Sequence, residues 1–181
     1  MIVFLGPAGS GKSTQGRLLA DRFGWTWLSS GELLRDSHDE NLAQIMSEGQ
    51  LAPSEIVNRI MVEAIKSTPN KKKIILDGFT RKIEEVRQLI ETTSHHMAGV
   101  DLVIVFDVPL RFLLDRLEQR GRTDDTPEAV EERLKIYHDD VNQIVGYFNA
   151  NNIKISKIDG SGSVEDVHSL IVKELEKCHL N

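Results

Sequence analysis

The sequence predicts a three-layer α/β fold, with a five-stranded parallel sheet covered by helices on both faces. Three observations lead there. Short apolar runs alternate with longer stretches of helical pattern along the 181 residues, and such alternation implies successive βα units. Three of the five runs are nearly continuous in apolar residues, as strands buried on both faces must be. Right-handed crossovers between parallel strands then distribute the helices to both sides.

The runs are residues 1–5, 25–28, 74–76, 102–106 and 153–158. The first, third and fourth are the continuous ones. The last alternates Ile153, Ile155 and Ile158 with polar residues, which places it nearer an edge. Helix starts are marked by Thr126-Pro127, an N-cap followed by proline at the first helical position, and by Ser163 with Asp166, a capping box. Between residues 36 and 53 the pattern is short and polar, predicting small helices in an insertion. Lys71-Lys72-Lys73 reads as a solvated turn. No repeat, low-complexity stretch or linker interrupts the chain, so residues 1–181 form a single domain.

Composition narrows the function. Hydrophobic residues are 40% and charged residues 28%, ordinary for a globular protein. A net charge of −6 argues against binding nucleic-acid polymers, which need a basic surface. It leaves room for a local arginine cluster that binds a small nucleotide. Cys178 is the single cysteine, so an internal disulfide is excluded and a reduced, cytoplasmic setting is expected. The apolar start at residues 1–5 is cut by Gly6 and Pro7, too short for a signal peptide or membrane span. A monomer is expected.

The strongest local signal is Gly6-Pro7-Ala8-Gly9-Ser10-Gly11-Lys12-Ser13. It matches G-x-x-x-x-G-K-[ST] between a strand and a helix, the context this phosphate loop requires. Glycines let backbone N–H groups converge on phosphate oxygens, and the helix N-terminus adds partial positive charge. Gly9, Ser10, Gly11, Lys12, Ser13 and Thr14 are thus candidates for binding a nucleoside triphosphate, with Lys12 reaching the β- and γ-phosphates and Ser13 offering a hydroxyl to Mg²⁺. The loop alone does not separate a kinase from an ATPase or GTPase.

Four more segments follow in order: Leu28-Ser29-Ser30-Gly31-Glu32-Leu33-Leu34-Arg35, Gly49-Gln50-Leu51-Ala52-Pro53-Ser54-Glu55-Ile56-Val57, Leu76-Asp77-Gly78-Phe79-Thr80-Arg81, and the arginines from Arg116 to Arg133 around Arg120-Gly121-Arg122-Thr123-Asp124-Asp125. With the phosphate loop and Asp159-Gly160-Ser161-Gly162-Ser163-Val164, they resemble the adenylate kinase family over nearly the whole chain. The resemblance implies a P-loop nucleoside triphosphate hydrolase-like fold, a nucleoside-monophosphate-binding insertion at about residues 30–60, and a lid at about 121–131. It implies the reaction ATP + AMP = 2 ADP with Mg²⁺.

It also implies roles. Arg35 and Arg81 grip the phosphate of the monophosphate, beside Ser30, Ala52, Gly78 and Glu85. Arginine suits this task because its planar fork meets phosphate bidentately. Asp77 holds magnesium through water. Arg116 and Arg120, four apart on one helix face, clamp ATP with Arg122 and Arg133, the latter two also reaching the acceptor. Lys12, Arg81, Arg120, Arg122 and Arg133 form the catalytic set. Asp124 and Asp125 position arginines, and the backbone at Gly160–Ser163, Gly162 included, packs on adenine. The six histidines read as surface residues, with His95-His96 in a loop.

Three positions depart from the family pattern. Thr80 replaces its usual proline. Only Gly121 separates Arg120 from Arg122, which makes the lid minimal and without a zinc site. Glu85 replaces the glutamine that reads adenine, and a carboxylate accepts hydrogen bonds where the amide also donates. GMP, CMP or UMP therefore remain alternative acceptors. A P-loop ATPase or GTPase switch, or a nucleotide-binding module without turnover, are the alternatives of another class.

Overall fold

Strands that are apolar throughout have no side to offer to water and must lie inside a sheet. The computed structural model, which describes residues 1–48, 50–95, 99–122 and 124–180, places them so. β1 (Ile2–Leu5), β2 (Thr26–Ser29), β3 (Ile74–Asp77), β4 (Leu102–Asp107) and β5 (Lys154–Asp159) form one parallel sheet in the order β2-β3-β1-β4-β5. β3, β1 and β4, the three continuous runs, are central and buried. β5 alternates between exposed and buried residues and lies at an edge, as its sequence predicts. β2 is the other edge, which its four residues do not advertise. Each strand starts and stops within one residue of its predicted run.

The pleat sends alternate side chains of β1 to opposite layers. Val3 and Leu5 join Val57, Met61 and Ile65 of α4 (Ser54–Ser67) and Val86 and Leu89 of α5 (Ile83–His95). Ile2 and Phe4 join Leu19 of α1 (Lys12–Phe23), Leu113 and Leu117 of α6 (Leu110–Arg120), and Val167 and Ile171 of α8 (Val164–Lys177). The long α7 (Pro127–Ala150) serves both layers: Val130 and Leu134 enter the second, Ile144 and Phe148 the first.

The predicted insertion consists of α2 (Ser30–Asp36), α3 (Glu40–Ser47) and the start of α4. Asp39 caps α3 by accepting from the N–H groups of Asn41 and Leu42. α4 runs past residue 60 to Ser67, and its buried face makes it scaffold as much as insertion. The connection after α6 is short. Gly121, at φ 61°, ends α6, and Thr126 caps α7 by accepting from the Ala129 N–H at 3.3 Å. Within the expected lid at 121–131, the described residues place Gly121 at the end of α6 and residues 127–131 in the first turns of α7. The capping box of Ser163 and Asp166 forms. His95 is the last residue of α5 and not part of a loop. Gly49, His96 and Thr123, named in the motifs above, lie outside the described residues.

Phe148 is fully buried where α7 meets the first layer. Phe148→Ala should lower the unfolding free energy by about 3–5 kcal/mol, read from the urea midpoint at unchanged slope.

Candidate active site

Parallel strands deliver their carboxyl ends to one edge of the sheet, where α/β proteins bind ligands. A cleft of about 690 Å³ opens there. Seven arginines and Lys12 line it against three carboxylates, in a chain whose net charge is −6. Such a concentration of positive charge fits polyanionic ligands.

The phosphate loop forms its floor. Gly9, at φ 80°, also lies so close to α6 that a Cβ would sit 2.8 Å from the Leu113 carbonyl oxygen, so only glycine fits. Lys12, at the start of α1, folds back and donates to the carbonyls of Gly6 (2.7 Å) and Pro7 (2.8 Å) and to Ser10 Oγ (3.2 Å). Burial pulls its pKa down to about 8; Arg81 and Arg120 add to the drop and Asp77 opposes it. A polyphosphate would restore the charged ammonium. Gly11, Ser13 and Thr14 also line the cleft.

Ser13 Oγ donates to Asp77 Oδ2 at 2.6 Å. A hydroxyl and a carboxylate side by side are the hard oxygen donors Mg²⁺ takes, and this ion needs few protein ligands beside water and phosphate. The pair fits the expected metal position.

On one wall, β3 ends at Asp77 and the chain turns at Gly78, φ 77°. A Cβ there would stand 2.8 Å from Ser30 Oγ. Ser30 donates to the Gly78 carbonyl at 2.7 Å, and Arg81 donates through Nε to the same carbonyl (3.0 Å) and through Nη2 to Ser30 Oγ (2.9 Å). Arg81 is thus held in place by protein oxygens, and burial lowers its pKa. Arg35, at the end of α2, faces the same cleft.

On the opposite wall, Asp125 accepts from Arg120 Nε (2.8 Å) and Nη2 (2.7 Å) and from Arg133 Nη2 (3.0 Å). Arg133 also donates to the carbonyls of Ala129 and Asp124. Arg122 has its pKa lowered by burial and by the neighbouring Arg120 and Arg35. Arg116 donates to the Gly162 carbonyl at 3.2 Å, tying α6 to the loop before α8.

The candidate arginines, Lys12, Asp77 and the candidate phosphate-loop residues all line this cleft, whereas Ala52 and Glu85 do not. Ala52 belongs to the core beneath it. Glu85, expected to face a base, is 3% exposed. Its carboxylate accepts from Ser54 Oγ (3.1 Å) and the N–H groups of Arg81 (2.8 Å) and Lys82 (3.4 Å). It sits in the first turn of α5, where a glutamate reaches back to the free N–H groups of a helix start. Thr80 lines the wall, but its hydroxyl is buried and has no hydrogen-bond partner among the described residues, a defect a proline would not carry.

Sequence reasoning passed over Arg17, which pairs with Glu32 and stacks 4.6 Å from the Trp27 ring centre. It also passed over Gln15, which donates to the Val164 carbonyl at 2.8 Å and contacts His168 Nδ1. Gln15 follows the phosphate loop directly, but nothing in its spacing shows that it turns toward α8. Tyr137 on α7 completes the wall, its pKa pushed up to about 12, chiefly by burial and also by Asp107.

A phosphate loop facing a second, separately braced set of arginines across one cleft defines a nucleotide kinase, a protein that aligns a donor with a phosphorylated acceptor. Comparison with known proteins agrees. The adenylate kinase family profile matches residues 4–153. The chain is 33% identical over 180 residues to an adenylate kinase of Mycobacterium sp. strain MCS, covering 96% of this chain and 98% of that one. It is 35% identical over 173 residues to one of Mycobacteroides abscessus, covering 92% and 93%. It is 30% identical over 182 residues to one of Mycobacterium tuberculosis, covering 97% and 99%. The chain belongs to the adenylate kinase family and is a nucleoside-monophosphate kinase.

Glu85 offers a test of the site's electrostatics. Burial raises its pKa above 4.5, and the backbone donors and the facing Arg81 guanidinium only partly offset this. Above 4.5 the folded protein keeps a proton that the unfolded chain releases, so this group's contribution to stability falls as pH rises through that window. Glu85→Gln removes the effect. Its melting temperature relative to wild type should increase between about pH 4.5 and pH 7, and a pH-independent difference would show that the carboxyl is not raised.

Proposed function

We propose that this protein catalyses ATP + AMP = 2 ADP. The carrying observation is the division of the cleft: Lys12 and the Asp125-braced pair Arg120 and Arg133 on one side, Arg81 braced by Ser30 and Gly78 on the other. Two phosphate sites that meet at one cleft suit a donor and an acceptor, where a hydrolase needs only the first. The family relatives named above are adenylate kinases, which favours AMP over the other monophosphates.

The backbone N–H groups of the phosphate loop and Lys12 would bind the β- and γ-phosphates of ATP. Arg35 and Arg81 would hold the acceptor phosphate in line with the γ-phosphorus. An acceptor phosphate oxygen forms the new P–O bond as the bond to the β,γ-bridging oxygen breaks, and ADP leaves. Lys12, Arg120, Arg122 and Arg133 would meet the charge that accumulates on the transferring oxygens. Arg116, with the loop at Gly160 and Gly162, would hold the ATP nucleoside end, while Ser30 and Gly78 shape the acceptor end. Ser13, and Asp77 through water, would hold Mg²⁺, which when bound neutralises charge on the donor phosphates. The acidic chain and lone Cys178 support reading it as a cytoplasmic monomer; among the described residues no helix is long and apolar enough to cross a membrane.

A coupled assay of ATP against AMP, GMP, CMP and UMP tests the reading. AMP should give the highest kcat/KM, and Lys12→Ala should reduce turnover by ~10³-fold or more. Preference for another monophosphate would overturn the acceptor; near wild-type turnover in a folded Lys12→Ala variant would overturn the mechanism.

The division of the arginines has its own signature. Arg35→Ala should raise the KM for the monophosphate much more than the KM for ATP, measured in initial-rate titrations of each substrate. Equal changes would show that the two phosphate sites are not separate.

A further inference from the structure

Glu85 is 3% exposed and, although its motif groups it with the acceptor-binding residues, it is not among the residues that line the cleft. Oε2 accepts from the Arg81 N–H at 2.8 Å and the Lys82 N–H at 3.4 Å, and Oε1 accepts from Ser54 Oγ at 3.1 Å. Ser54 is the first residue of α4, the helix that carries the chain out of the insertion. Arg81 and Lys82 form the segment between β3 and α5. Glu85 therefore joins three pieces of chain: the insertion, the segment holding the acceptor arginine, and α5.

The Arg81 side chain is aimed by its bonds to Gly78 and Ser30. That aim depends on where its own backbone sits. The N–H groups of Arg81 and Lys82 precede α5 and have no intrahelical partner. Left unpaired, they would be drawn to other acceptors, moving the Arg81 Cα. We propose that Glu85 is a positioning residue: its carboxylate fixes the Arg81 backbone against Ser54 of the insertion, sets the grip on the acceptor's phosphate, and does not read the acceptor's base. The inference rests on the proposed kinase reading but not on which base is used, because every nucleoside monophosphate presents the same phosphate.

The chemistry separates this role from base reading. A glutamine at position 85 can reproduce the arrangement: its Oε1 accepts from the two backbone N–H groups and its Nε2 donates to Ser54 Oγ. Glu85→Gln should leave the relative kcat/KM for AMP, GMP, CMP and UMP unchanged. Glu85→Ala leaves the backbone donors unpaired. It should raise KM for every monophosphate used by about tenfold or more, by the same factor for each, with the KM for ATP within about twofold. Ser54→Ala should raise acceptor KM in the same sense and add nothing further in the Glu85→Ala background, since the two side chains act as one unit.

The four monophosphates and ATP are titrated against wild type and these variants, with melting temperatures recorded. A change in base preference in Glu85→Gln overturns the proposal, because only a residue touching the base can cause it. Unchanged acceptor KM in folded Glu85→Ala also overturns it, as does an equal rise for ATP, which marks a general structural loss. If the wild type prefers an acceptor other than AMP, the reaction assigned above fails, while the uniform effect of Glu85→Ala on whichever acceptors are used still decides the role of Glu85.

Discussion

Like charges repel, and eight cations share one cleft in this protein. Their mutual repulsion is the constraint that the rest of the site answers. Asp125 is the clearest answer: its carboxylate, almost wholly buried, holds Arg120 bidentately and Arg133 by a further bond. Without it two guanidinium groups on adjacent helices would turn apart into solvent. Asp77 plays the same part beside Lys12 and Ser13. Among the described residues no carboxylate forms an ion pair with the Arg81 guanidinium. Carbonyl and hydroxyl oxygens of Gly78 and Ser30 do the aiming, which leaves its charge available to an anion.

Holding these groups still requires a rigid base, and the central strands provide it. β1 lies in the middle of the sheet with both faces covered, so the phosphate loop leaves from a point that cannot shift. Gly9 presses that loop onto α6, the helix that bears Arg116 and Arg120. Arg116 then ties α6 to the carbonyl of Gly162, and Gln15 ties α1 to that of Val164. The phosphate-loop half of the cleft is thus cross-braced among α1, α6 and the start of α8. The half around Arg81 is braced by bonds at Ser30, Gly78, Arg81 and Glu85 that concentrate in the turn after β3.

The short link between α6 and α7 has a physical consequence. Gly121 ends one helix and Thr126 starts the next, so little chain is left to fold over a ligand. Part of what a longer lid would supply is built into the walls, where Asp124 and Asp125 orient Arg133 and Arg120. Arginines held in place lose less freedom on binding than mobile ones, which favours affinity.

Much of this was legible in the residues. Continuous apolar runs showed which strands are central, because a strand buried on both faces admits no polar alternation. The order of motifs showed that Lys12, Asp77, Arg81 and Arg120 belong to one edge, because parallel strands all deliver their carboxyl ends to the same side. What the tertiary structure decided was direction. Glu85 occupies the place of a base-reading residue in the motif, yet α5 begins so near it that the unpaired N–H groups of Arg81 and Lys82 claim its carboxylate. Ala52, named with it, turns into the core. Gln15 and Arg17 are two residues apart on α1, and only packing against α8 and β2 separates their roles. Spacing tells which side chains can reach one place; which of them face it depends on the hydrogen bonds and packing that the folded chain makes available.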